Sequence, residues 1–167
     1  MIINRALLKN GVPSIFVDTI DFSSTEFDPT HIRKIEECHV EAIATDYETI
    51  LRVEVKINAK VIGVCSYTLE DVELNLKIED ELNFSDDEED VDNYYEKGNL
   101  ISLDSYILGI LLANIPVRII KKGAKLPENG KDYRVISEDD YVEEKSKEVD
   151  HRFDILDTVE FPDDDEK

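Results

Sequence analysis

TILRVEVKINAKVIGVC, residues 49–65, is the stretch that decides the fold. In it Leu51, Val53, Val55, Ile57, Ala59 and Val61 alternate with Arg52, Glu54, Lys56, Asn58 and Lys60. A period of two puts the apolar set on one face of a pleated strand and the charged set on the other. That is the pattern of an antiparallel strand with one wet face. DVELNLKIEDELNF, residues 71–84, repeats it through Val72, Leu74, Leu76 and Ile78, with Glu73, Asn75, Lys77 and Glu79 outward. SYTLED, between the two, is short enough for a reversal, so residues 48–84 read as a long hairpin in a curved antiparallel sheet.

Upstream, SIFVDTIDF (14–22) alternates Ile15, Val17 and Thr19 against Phe16, Asp18 and Ile20, and ends in the turn-rich SSTEFDP. HVEAIATDY (39–47) reads as a second long strand. DPTHIRKIEECHVEAI (28–43) also admits a helix, because Ile32, Ile35 and Cys38 sit at helical spacing, with strand favoured for its second half. Past Phe84, SDDEEDVDNYYEKGN (85–99) has no period and cannot bury its charges cheaply, so it is expected to be a flexible acidic spacer. Ser102 is expected to cap a helix over LDSYILGILLANI, with Asp104 at its positive end and Pro116 stopping it. Ile107, Leu108, Ile110, Leu111 and Leu112 make that helix apolar on nearly every side, so it should cover the apolar face of the sheet.

Residues 123–137 read as a loop with one short strand at YRVI, and Ser137 as the cap of a polar helical segment from Glu138. DHRFDILDTVEF (150–161) suggests a last short helix, and residues 161–167 a disordered acidic tail. The expected fold class is therefore α+β. A mainly antiparallel, strongly twisted sheet in residues 13–84 is covered by a short apolar helix at about 103–113, and a mixed, acidic C-terminal segment follows. Residues 1–160 are expected to form one domain, with parts 13–84, 85–99, 100–137 and 138–160.

Of the 167 residues, 40 are acidic and 19 are Lys or Arg, a formal net charge of -21. Its distribution is uneven: net -8 over residues 1–84, -6 over 85–99, +3 over 100–137 and -10 over 138–167. Such a chain repels a polyphosphate at long range, which argues against unaided capture of RNA or an anionic membrane. The exception is RIIKKGAK, where Arg118, Lys121, Lys122 and Lys125 cluster; a solvated edge paired with nearby acids is the favoured reading of these cations. No stretch approaches the ~20 apolar residues of a membrane span, and the first residues lack a signal-peptide core. Two cysteines, Cys38 and Cys65, make no disulfide framework, so a reduced, cytoplasmic setting is expected.

The carboxylates Asp86, Asp87, Glu88, Glu89, Asp90 and Asp92 invite a calcium loop, but from Asp86 the sixth position is Val91 and the twelfth Lys97. The turn glycine and the closing bidentate Glu are both missing. Cys38, His39, Cys65, His31 and His151 have no zinc spacing. Six scattered glycines make no phosphate cradle, and carboxylate pairs are too abundant to mark an acid and a base. No cofactor, no metal and no enzymatic activity are expected.

From Val61 to Pro116 the order of features resembles the YceD-like large ribosomal RNA subunit accumulation proteins of bacteria and chloroplasts. The counterparts are VCSYTLEDVELNLKIEDELNF, the acidic block SDDEEDVD, LISLDSYILGILLANIP and the closing DHRFDILDTV. Many members carry a second Cys before the Leu, where this chain has Thr68 before Leu69, so a role for a cysteine pair is not available. The resemblance implies a non-enzymatic cytoplasmic factor that supports large-subunit ribosomal RNA accumulation during ribosome assembly. The family's gene often neighbours that of a small basic large-subunit ribosomal protein. Two partners fit the charges. The acidic spacer 85–99, with Asp86, Asp87, Glu88, Glu89, Asp90 and Asp92, and the acidic tail 138–167 would shield a basic large-subunit ribosomal protein, which the net charge favours, or Arg118, Lys121, Lys122 and Lys125 would contact precursor large-subunit ribosomal RNA. The alternative from another class is an acidic nucleic-acid mimic that inhibits a nucleic-acid-binding protein, against which stands the placing of the densest carboxylate runs in expected loops and tail.

Overall fold

The alternation that opens the sequence builds the two central strands of the sheet. The computed structural model describes residues 1–147. In chain order its elements are β1 (Ile2–Asn4), a 3-10 turn (Arg5–Leu7), β2 (Ser14–Thr19), β3 (Ile32–Asp46), β4 (Ile50–Val64) and β5 (Asp71–Ser85). Then come β6 (Tyr94–Tyr95), β7 (Leu100–Ser102), α1 (Asp104–Asn114) and α2 (Glu138–Lys147). The main sheet has the order β2-β3-β4-β5-β6, antiparallel except for the parallel β5–β6 step, and β1 pairs with β7 in a second, two-stranded sheet. The α+β class and the hairpin of β4 and β5 stand as expected. None of the helices described is long and apolar enough to cross a membrane.

On β4 the apolar set from Leu51 to Val61 is buried, and the partner residues Arg52, Glu54, Lys56 and Asn58 are exposed. Between residues 28 and 43 the strand prevails over the helix. Ile32, Ile35 and Cys38 are all buried on β3, yet they are three residues apart. Register shifts at Ile32/Lys34 and Ile35/Glu37 explain the spacing. Each bulge inserts one residue, so the buried face recurs after three positions before the ordinary period of two resumes at Val40, Ala42 and Ala44.

The buried face is covered by α1 and its flanks. Leu103, Ile107, Leu111, Ile115 and Ile119 join Ile3 of β1 and Ile101 of β7 in one cluster with the strands' apolar side chains. Gly63 on β4 makes room for this cover, because a Cβ there would meet Ile119 Cδ1 at 2.4 Å. Ser102 does not cap α1, contrary to the sequence expectation. It lies in β7 opposite Ile2, the N-cap position belongs to Leu103, and no side chain caps the helix there. Instead the Asp104 carboxylate accepts from the Met1 amine at the positive helix end.

The chain divides after Ala124 into two compact units, Met1–Ala124 and Lys125–Lys167. In the second unit YRVI is not a strand: the Val135 amide is taken by Asn129 Oδ1 (2.7 Å), which holds the segment as a loop. Ser137 caps α2 as expected, its Oγ accepting from Asp140 N (3.1 Å). The expected last helix at 150–161 and the tail at 161–167 lie outside the described residues.

Candidate functional site

Charge is the candidate functional feature, and the fold sorts it into three places. The first is the outer face of the sheet. There Arg52, Lys56 and Lys60 of β4 run between acidic neighbours on β3 and β5. Lys60 Nζ reaches Glu36 (3.3 Å) and Glu73 (2.9 Å), Lys56 lies 3.7 Å from Glu79, and Arg52 is bonded to Glu81. Glu73 and Glu36 raise the pKa of Lys60, and the Lys34 and Lys60 ammonium groups hold Glu36 below its usual value. The carboxylates do form rows along the strands, but a row of cations interrupts them. That surface is close to self-neutral and is no phosphate-like ladder.

The second place is the loop after β5, and here the carboxylates are treated differently. Asp87 and Asp90 build the loop: Asp87 Oδ1 accepts from Glu89 N (3.0 Å) and Asp90 Oδ1 from Asp92 N (3.2 Å). Asn93 Nδ2 donates to Asp90 Oδ2 (2.7 Å) and thereby lowers the Asp90 pKa. These are Asx turns, the local bonding that makes Asp a turn residue. Asp86, Glu88, Glu89 and Asp92 are left exposed. Among the described residues no cation forms an ion pair with any of Asp86, Asp87, Glu88, Glu89, Asp90 and Asp92.

The loop is also anchored at its far end, which sequence reasoning missed. Tyr94 and Tyr95 form β6 beside Phe84 and Ser85. Tyr94 packs edge-on to Tyr106 of α1 (centroids 4.9 Å apart), and Tyr106 edge-on to Phe84 (5.0 Å). The Tyr106 hydroxyl donates to Glu96 Oε1 (2.7 Å), and burial followed by that carboxylate pushes its pKa up to about 12. The aromatic pair directly after the acidic run was the available signal, since such rings seek a packed neighbour.

The third place is the turn between β4 and β5, where the basic segment arrives. Ser66 N donates to Ile119 O (2.8 Å), and Lys121 N donates to Cys65 Sγ (3.4 Å). The Thr68 hydroxyl and the amides of Tyr67 and Thr68 also face that sulfur, and together they pull the Cys65 thiol down to about 7. By contrast, burial pushes the Cys38 thiol up to about 11. Of the basic cluster, Lys121 Nζ is held by Glu70 (2.9 Å), which the pairing with acids anticipated. Lys122 is exposed on the same segment, Arg118 is engaged within the structure, and Lys125 belongs to the second compact unit. Among the described residues no three His, Cys, Asp or Glu side chains are grouped to hold a metal ion.

The chain is 28% identical to the "Uncharacterized protein YlbN" of Bacillus subtilis (strain 168) over 153 residues, covering 86% of this chain and 86% of that protein. No solved structure matches it. The family model described as "Large ribosomal RNA subunit accumulation protein YceD" matches residues 53–159, which takes in most of β4 and all of β5, the acidic loop, α1 and the basic segment. The chain therefore belongs to the YceD family of large ribosomal RNA subunit accumulation proteins.

Proposed function

We propose that the protein is a non-enzymatic factor that supports large-subunit ribosomal RNA accumulation in the cytoplasm by holding a basic large-subunit ribosomal protein during ribosome assembly. The family supplies the link to ribosomal RNA. The observation that carries the mechanism is the contrast between the two acidic surfaces. The sheet carboxylates have cations beside them, whereas those of residues 86–92 are held out on an anchored loop without one. Exposed, unmatched charge on an ordered loop costs the fold little and attracts a cationic partner, speeding encounter and rejecting anionic competitors.

Two other readings have less support. Direct contact with precursor RNA through Arg118, Lys121, Lys122 and Lys125 must work against the net charge of -21, and Lys121 already serves Glu70. A nucleic-acid mimic requires rows of carboxylates free of cations, and Arg52, Lys56 and Lys60 cross the rows of the sheet.

The test is a variant that removes charge and leaves the loop standing: D86N/E88Q/E89Q/D92N, with Asp87 and Asp90 kept for their turns. Binding to a purified basic large-subunit ribosomal protein should weaken by about tenfold or more and lose much of its salt dependence. Unchanged binding, together with loss of RNA crosslinks in K121E/K122E, would replace this reading with the RNA-contact one.

A further inference from the structure

The fold leaves one long strand edge open in unit Met1–Ala124, on β5. Among the described residues β5 has β4 on one side, and on the other only β6, at Phe84 and Ser85. The Ser85 carbonyl accepts from Glu96 N on the side away from β4, and the β4–β5 ladder runs from Asp71 to Ser85 without a shift. Alternation along an antiparallel strand therefore turns the N–H and C=O groups of Glu73, Asn75, Lys77, Glu79 and Glu81 to the open edge. On the inner face beside this edge, Val72, Leu74 and Leu76 are only half-buried.

A bare edge of this length invites any extended chain, and natural sheets guard against that with charge. Here the guard is selective. Asp80 takes an inner-face position in the row of Ile78 and Leu82, is exposed, and caps Glu81 N through its Oδ1 (2.8 Å). No cation of the described residues pairs with it, unlike Glu73, Glu79 and Glu81 around it. An apolar strand laid along the edge would desolvate that carboxylate without compensation, whereas one with a lysine or arginine there would satisfy it. The other free edge, β2, is six residues long and shows exposed Ile15 and Val17 on its outer face; its Asp18 is also exposed and caps Thr19 N (2.8 Å), but unlike Asp80 it has a cation beside it, the Met1 amine at 3.6 Å.

We propose that the β5 edge takes up an extended basic segment of the partner as an additional strand. Apolar side chains of that segment lie beside Val72, Leu74 and Leu76, and a basic one lies opposite Asp80. The proposal rests on the reading that the partner is a basic protein and names the form in which it is held. Backbone bonds to Glu73, Asn75, Lys77 and Glu79 supply affinity, and Asp80 supplies the selection for charge.

The full-length, isotopically labelled chain tests this by amide exchange when titrated with a synthetic peptide of about ten residues that alternates lysine and valine, except that the valine at one end of the row is replaced by lysine, so that the valines lie beside Val72, Leu74 and Leu76 and that lysine opposite Asp80. The amides of Glu73, Asn75, Lys77 and Glu79 should gain protection by about tenfold or more. Asn75→Pro removes an outward N–H that no β4 bond uses, and should weaken the peptide about tenfold; Asp80→Asn should weaken it several-fold while still capping Glu81 N. If N75P fails to fold, protection in the unaltered chain decides alone. Binding without protection of the edge amides overturns the proposal, as does equal binding of a same-composition peptide with its lysines grouped at one end. Both outcomes leave the basic-partner reading standing. Failure of both peptides to bind overturns that reading too. Protection produced by a second copy of this chain, or by an RNA oligomer in place of the peptide, also overturns the proposal.

Discussion

Leu69 and Cys65 show what the β4–β5 turn asks of single residues. Leu69 lies at φ 59 and is 71% exposed, so a branched side chain occupies a left-handed position with little burial in return. Leu69→Gly should raise stability by up to about 1 kcal/mol in denaturant unfolding; a loss would mean that the leucine makes a packing contribution. Cys65 differs from Cys38 in acidity and in setting. Lys121 N and the turn amides favour its thiolate, whereas Cys38 sits in mid-strand with its thiol pushed up to about 11. Because the folded Cys65 value of about 7 lies below the ordinary 9.0, its stabilising contribution is present above about pH 9 and is lost as pH falls through about 7. Iodoacetamide should accordingly modify Cys65 before Cys38 at mildly alkaline pH, since release of the turn suffices for Cys65 while Cys38 needs the sheet to open. Equal rates read by peptide mass mapping would contradict this.

At the scale of elements, α1 gives the clearest stability test because its composition hides its orientation. The sequence reads as apolar on nearly every side, yet Ile107 and Leu111 are buried while Leu112 is 42% exposed. Leu111→Ala should cost about 2–5 kcal/mol, and Leu112→Ala under about 1 kcal/mol, in matched unfolding curves. Equal costs would mean that α1 presents another face to the sheet. β4 and β5 were legible because a period of two has one physical cause, the pleat. β3 was ambiguous because two bulges stretched its buried spacing to three, and bulges leave no mark in composition. Ser102 misled for a related reason: a good capping residue was claimed by the ladder to Ile2. The acidic loop was legible as charge, and its anchoring by Tyr94 and Tyr106 was not, because that depends on contact between residues distant in the chain.

For the whole molecule, the decisive quantity is where charge is left uncompensated. Of the net charge of -21, residues 85–99 hold -6 and residues 138–167 hold -10, whereas on the sheet Glu36, Glu73, Glu79 and Glu81 have cations beside them. Partner binding should weaken as salt rises, because the exposed loop is screened over a Debye length of about 8 Å at physiological ionic strength. On the proposed function the partner is a basic ribosomal protein held without RNA. Affinity capture of the chain from cells, with and without nuclease, followed by identification of bound protein and RNA, tests it most directly. A basic large-subunit ribosomal protein should stay bound after nuclease and be diminished in D86N/E88Q/E89Q/D92N. Enrichment of neither ribosomal proteins nor ribosomal RNA, or of ribosomal proteins that all depart with the RNA, would contradict it.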